Sequence, residues 1–301
     1  MEEHATTRDA KELALTQFHP SAYESNRYAY PVVSRRSHGV SIGVNLSPTK
    51  LCNFRCVYCQ IRREEKDEPI CGRDALRLDL NLLEQEAESL ARATISQQLF
   101  THERFAKTPI ENRVLRDFAF SGDGEPTLAP QFHEVVEILA RVRERLNYDA
   151  VKLILITNAT TLQTPAIVEA LDDFHVANGE IWAKLDAHDQ ARLQMVNRTS
   201  VPYERILDNI LFASQRWSVT IQTALFQWRG QEPDPEMLHA YSQRLNDVVR
   251  QGGRINGVQL YTVARVPTCH EAVALTNQRL DQCAELVKSL TDLPVEVFYN
   301  K

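Results

Sequence analysis

Short β-rich runs alternate with longer amphipathic segments along this chain, which leaves few architectures open. Strand patterns occupy residues 40–46, 117–121, 151–157, 180–186, 219–226, 257–264 and 295–299. Helical patterns fill 80–98, 131–146, 165–173, 203–217, 235–250 and 277–290. A strand, a helix and a further strand form the repeating unit of a parallel sheet, because a parallel neighbour is reached only through a crossover. Seven such strands build either an open doubly wound sheet or a full or partial barrel.

Side-chain alternation separates these choices. Parallel strands covered by helices on both faces are apolar on both. Here one face is repeatedly polar. Ser41, Gly43 and Asn45 share a face, as do Trp182, Lys184 and Asp186, Thr220 and Gln222, and Gln259 and Tyr261. The run 151–157 fits less well, with Ile154 and Ile156 beside Lys152. A closed eight-stranded barrel fills its interior with branched apolar residues. A polar inner face predicts an α/β fold of another kind: a partial, open parallel β/α barrel of about six strands, with a lumen for water, cofactor or substrate. The domain is expected over 31–301, after an N-terminal extension 1–30.

Composition narrows the function. Apolar residues make up 43% and charged residues 25%, enough to bury a core and exclude disorder as the main state. No apolar run approaches the ~18 residues of a spanning helix, so no membrane partner is expected. The first 18 residues lack a basic start followed by an apolar stretch, which points to a cytoplasmic protein. Its six cysteines are then expected as reduced thiols or metal ligands. The net charge of −6 argues against non-specific nucleic-acid binding, leaving room for a local basic patch.

Cys52, Cys56 and Cys59 follow the first strand pattern in the spacing C-x3-C-x2-C. Three thiolates so close on one loop can ligate one metal centre. A structural zinc site closes with four protein ligands, for which a distant His270 or Cys71 would serve. A 4Fe–4S cluster held by three cysteines instead leaves one iron open to another ligand. With Tyr58 just before the last cysteine, the triplet resembles the signature of the radical S-adenosylmethionine (radical SAM) superfamily. The resemblance implies a 4Fe–4S cluster on Cys52, Cys56 and Cys59 whose open iron chelates SAM. It implies reductive cleavage of SAM and abstraction of a hydrogen atom from a substrate by the resulting 5′-deoxyadenosyl radical.

Further segments fit this reading. Gly122, Asp123, Gly124 and Glu125 follow the second strand; the glycines let backbone approach a ligand, and Glu125 offers a carboxylate to an ammonium group, or the segment is simply a tight turn. The segment resembles the superfamily's Gly-Gly-Glu motif, with Asp123 inserted. Asn158 ends the third strand, where it can contact a ligand or complete a turn. Lys184 and Asp186, two apart at the end of a strand, are read as catalytic or cofactor-facing, or as a plain salt bridge. Residues 121–128, 155–161, 180–187 and 259–264 resemble the wyosine-type tRNA-modifying enzymes and their bacterial relatives. The likeness spans about 30–299. It departs in one respect: those enzymes carry cysteines for a second cluster upstream of the triplet, and none precedes Cys52 here.

Arg35, Arg36, Lys50, Arg55, Arg62, Arg63 and Lys66 make the surroundings of the triplet basic. They suit a flavodoxin- or ferredoxin-type electron donor, a phosphate-bearing substrate, or an ordinary solvated surface. The substrate, whether small molecule, peptide or RNA, is left open. A non-enzymatic iron–sulfur or zinc protein is the other alternative. Cys71, Cys269 and Cys283 are scattered, and Cys283 reads as a buried apolar side chain on a helix.

Overall fold

The computed structural model describes residues 26–61 and 77–300. Arg62, Arg63, Lys66 and Cys71 lie outside these. The chain passes back and forth between two compact units. The first holds residues 26–51, 77–156 and 164–180, and the second 52–61, 157–163 and 181–300.

In the first unit, β1 (Ala29–Ser34) pairs antiparallel with β2 (Gly39–Val44). After α1 (Leu80–Ile95) come β3 (Leu115–Phe120), α2 (Phe132–Arg145), β4 (Lys152–Thr157) and α3 (Pro165–Val176). β2, β3 and β4 run parallel. Helix α1 turns Leu83, Ala87, Leu90 and Ala91 inward, the spacing of one helical face. Its Glu86 is buried too, and accepts the backbone amides of Arg27, Tyr28 and Ala29 at 2.8, 2.8 and 3.0 Å. That carboxylate fixes the entry into β1. In β4, Leu153, Ile154 and Leu155 are all buried, so this strand is apolar on both faces. The polar alternation of its neighbours does not extend to it.

β5 (Gly179–Lys184) begins in the first unit and ends in the second. The second unit continues with α4 (Gln190–Val196), α5 (Tyr203–Arg216), β6 (Val219–Ala224), β7 (Phe226–Trp228) and α6 (Pro235–Arg250). β8 (Ile255–Tyr261), β9 (Ala272–Ala274), α7 (Asn277–Leu290) and β10 (Val295–Phe298) complete it. β5, β6, β8 and β10 are parallel neighbours, and their register sets Lys184, Gln222, Gln259 and Glu296 in one row. Gln222 donates to Gln259 Oε1 at 2.7 Å, pairing two buried amide side chains within that row. β7 and β9 form a separate antiparallel ribbon.

The strand order β1-β2-β3-β4-β5-β6-β8-β10 is that of an open, mostly parallel sheet, the α/β partial-barrel class expected from the alternation. The pattern at 219–226 proves to be two strands, interrupted at Leu225. Cys283 is fully buried on α7, as its helical pattern implied. Among the described residues no helix is long and apolar enough to cross a membrane.

Candidate active site

Cys52, Cys56 and Cys59 are half-buried on the loop that opens the second unit. Each sulfur meets an N–H group. The amide of Phe54 points at Cys52 Sγ at 3.4 Å, that of Ile61 at Cys59 Sγ at 3.4 Å, and the side-chain amide of Asn197 at Cys56 Sγ at 3.2 Å. Nitrogen donors aimed at sulfur suit thiolate ligands far better than neutral thiols, which are weak acceptors. In the protein alone Cys56 is pushed up to about 12, first by burial, then by the charge of Asp186 and the other two cysteines. The hydrogen bond from Asn197 opposes that rise, and a bound cation would reverse it, since metal binding displaces the thiol proton. The donor set therefore fits an iron–sulfur cluster on these three residues. Among the described residues no three histidine, cysteine or acidic side chains converge on a single-ion site, and His270 is exposed.

The loop is seated from below by apolar packing. Val57, Val196, Ala224, Phe226 and Trp228 form one buried group, against which Tyr58, Tyr261 and Cys269 pack. Tyr58 and Phe226 lie 5.5 Å apart by ring centroid. Its first residues are fixed by side chains. Asn158 donates to Asn53 Oδ1 at 2.6 Å, and Asn53 donates to Thr160 Oγ1 at 2.8 Å. Asn158 Nδ2 also lies 4.0 Å from Cys52 Sγ, so the residue read from the end of the third strand does reach the cysteine loop.

Lys184 and Asp186 are also brought together here, Nζ to Oδ1 at 3.5 Å. β5 ends at Lys184, so Asp186 lies just beyond the strand. Its side chain is wholly enclosed. Oδ1 accepts the Ala224 amide at 2.8 Å, and Oδ2 accepts from Asn197 at 3.0 Å and from the Tyr58 hydroxyl. Burial, reinforced by Asp186, pushes the Tyr58 phenol well above its ordinary range, which keeps it a proton donor. Lys184 Nζ stands over the rings of Tyr58 and Tyr261, 4.9 and 4.4 Å from their centroids, and donates to the Tyr261 hydroxyl. Two aromatic faces and one carboxylate thus hold the ammonium in place.

Gly122, Asp123, Gly124 and Glu125 belong to the first unit, at the end of β3. Gly122 has φ +138°, and a Cβ there would meet Asn45 Oδ1 at 2.6 Å. A Cβ on Gly124 would lie 2.0 Å from the carbonyl oxygen of Leu51, the residue before Cys52. Asn45 donates to Asp123 Oδ2 at 2.8 Å and accepts from the Ser47 amide at 3.0 Å. Glu125 is buried; its amide donates to Leu51 O at 2.8 Å, and Oε1 accepts the Thr127 amide and hydroxyl at 3.2 and 2.7 Å. Glu125 therefore caps the short turn Pro126–Leu128. The turn reading of this segment is realised, with the carboxylate held in a fixed orientation.

Asn197 gave no sequence signal beyond that of a polar residue closing a short helix, which is how it serves α4. Asn45 was visible only as one member of a polar strand face. Cys56, Cys59 and Cys269 share a cavity of about 350 Å³ with Arg55 and Arg198.

Residues 46–227, more than half of the chain, match the family model of the radical SAM superfamily. The chain is 26% identical over 265 residues to a UPF0026 protein of Helicobacter pylori, covering 86% of this chain and 73% of that protein. It is 27% identical over 181 residues to a UPF0026 protein of Methanocaldococcus jannaschii, covering 60% of this chain and 46% of that one. Archaeal TYW1 shares the fold with a TM-score of 0.53 at 12% identity, over 97% of this chain and 90% of that chain. A radical SAM methyltransferase from Sphaerobacter thermophilus gives 0.58 at 14% identity, over 90% and 69%.

Proposed function

The chain belongs to the radical SAM superfamily, and on that premise we propose that it is an enzyme that cleaves SAM reductively and abstracts a hydrogen atom from an organic substrate. Members of this superfamily are enzymes that use a 4Fe–4S cluster and SAM, and they need a reductant and a substrate. In this reading Cys52, Cys56 and Cys59 hold the cluster. Gly122, Asp123, Gly124, Glu125, Asn158, Lys184 and Asp186 serve the SAM side. The cluster, when bound and reduced, supplies the electron that opens a carbon–sulfur bond of the sulfonium.

The chain's own residues then have separable tasks. The glycines let the loop after β3 pack closely on Asn45 and Leu51, and Glu125 on that loop offers a fixed carboxylate to an ammonium group. Asn158 orients the start of the cysteine loop through Asn53. Lys184 presents a held cation, suited to a carboxylate or hydroxyl of the bound molecule, and Asp186 anchors it. Arg55 and Arg198, beside Cys56 and Cys59, support electron delivery by an acidic flavodoxin- or ferredoxin-type donor. The observation that carries the proposal is the N–H group aimed at each of the three sulfurs.

Anaerobic reconstitution is expected to give about four iron and four sulfide per chain, and reduction with SAM to release 5′-deoxyadenosine. Stoichiometric zinc without sulfide would overturn the proposal. The likeness to wyosine-type enzymes keeps a tRNA substrate as a second reading, opposed by the net charge. Co-purified tRNA would favour it.

A further inference from the structure

Cys56 is held in place from the end of α4. The Arg55 amide donates to the Asn197 carbonyl and the Val57 amide to the Val196 carbonyl, both at 2.8 Å. Two backbone bonds therefore bracket Cys56 from either side. The Asn197 side chain adds a third contact, to the sulfur itself. Its Nδ2 lies 3.2 Å from Cys56 Sγ and 3.0 Å from Asp186 Oδ2, and the residue is 1% exposed.

The amide can face only one way. Turned over, its carbonyl oxygen would stand against a carboxylate and a thiolate, with no proton between them. In the observed orientation Oδ1 is buried with no hydrogen-bond partner among the described residues. An orphaned acceptor is a cost, accepted here so that both N–H groups can serve anions. Asp186, held by Tyr58 and Ala224, is the fixed point that aims the amide at the sulfur.

We propose that Asn197 is a positioning residue for the cluster: its amide, aimed by Asp186, donates to the Cys56 thiolate and makes the cluster easier to reduce. The inference rests on the reading of Cys56 as a cluster ligand. Hydrogen bonds to cluster sulfurs favour the reduced, more negative state and so raise its potential. Asn197→Ala removes the donor and leaves the two backbone bonds in place, which separates tuning from folding.

The test compares reconstituted wild type and Asn197→Ala by potentiometric titration monitored by electron paramagnetic resonance. The variant is expected to keep its iron and sulfide and to show a more negative midpoint. A second measurement labels the asparagine side chains with ¹⁵N: the wild type should show nitrogen hyperfine coupling to the reduced cluster that Asn197→Ala loses, any residual coupling coming from Asn158, whose Nδ2 lies 4.0 Å from Cys52 Sγ. Asn197→Ser, which retains a hydroxyl donor, should recover part of the potential. Iron and sulfide in the wild type read the cluster assignment separately. A wild-type cluster without asparagine nitrogen coupling, or an Asn197→Ala cluster at wild-type potential, overturns the role of Asn197 alone.

Discussion

The hydroxyl of Tyr58 donates to Oδ2 of Asp186, joining the cysteine loop to the end of β5 across 128 residues of sequence. The bond is partly buried and ends on a fully enclosed carboxylate, a setting in which a single hydrogen bond counts heavily. Tyr58→Phe keeps the ring contact with Phe226 and removes only the donor. It is expected to lower unfolding free energy by about 1–3 kcal/mol, measured in urea, with iron content retained. Unchanged stability would mean that Asp186 is held adequately by Asn197 and Ala224.

How far the molecule could be read from sequence depended on whether a residue belonged to a repeating pattern. Six helices and the parallel strands other than β4 declare themselves through their periods of 3.6 and 2. Strand β1 does not: Pro31 interrupts its donor pattern, tolerable because β1 lies at the edge of the sheet. β7 and β9, three residues each, are too short to show a period, and so is the seven-residue α4. The cysteine triplet was legible because its spacing is local, within eight residues of one loop. Asn197 was not, because its relation to Cys56 exists only after α4 has folded back on the loop.

A buried acid in the first unit sets a pH dependence. Burial pushes Asp117 up to about 6, opposed by hydrogen bonds from Ser37 and Ser41 and by the charge of Lys152, while Glu180 raises it further. The folded state therefore holds this proton more tightly than the unfolded chain, whose value is near 3.8. Stability is predicted to fall as pH rises from about 4 to about 6, with the full cost present above that window. Two pH units correspond to about 3 kcal/mol at most. Asp117→Asn should flatten the dependence and raise stability at pH 8, measured as urea midpoints at pH 5 and pH 8. A variant with the wild-type slope would place the titration elsewhere.

Gly124 tests how tightly the β3 loop is built. A methyl group there meets backbone at 2.0 Å, with Ser47 Cβ at 2.6 Å. Neither neighbour can rotate away, so Gly124→Ala should cost about 1–3 kcal/mol or more and disrupt SAM binding as well. Gly230→Ala is the control: its φ is +81°, but nothing lies within 4 Å of the added atom. It should cost only the backbone strain, roughly 1 kcal/mol, and leave cofactor binding intact. Calorimetry of both variants checks the contrast, and equal losses would contradict it.

Charge reversal separates electron delivery from chemistry. Arg55 and Arg198 line the cavity beside Cys56 and Cys59. Arg55→Glu with Arg198→Glu should slow flavodoxin-supported SAM cleavage, most strongly at low salt, because steering is screened over ~10 Å at 0.1 M. Dithionite-supported cleavage should change little. Equal slowing with both reductants would assign these arginines to folding or substrate.

Glu125 distinguishes a cofactor ligand from a turn cap. Its Oε1 accepts the amide and hydroxyl of Thr127, and its own amide is tied to Leu51. Glu125→Gln keeps an oxygen that can fill the capping role, so folding should survive and iron and sulfide should stay at wild-type levels. What the substitution removes is the negative charge. If that charge faces the ammonium of SAM, affinity should fall by about 1.5–3 kcal/mol, the scale of a hydrogen bond between charged groups. Equilibrium dialysis would read this as roughly a tenfold or larger rise in dissociation constant. Cys56→Ala should differ in kind, losing the cluster and with it all SAM cleavage. Thr127→Val supplies the remaining comparison, since it removes the hydroxyl partner but leaves the carboxylate charge. It should lower stability while sparing affinity. If Glu125→Gln instead behaves like Thr127→Val, with weakened folding and wild-type SAM affinity, Glu125 is a cap and the ammonium is held elsewhere.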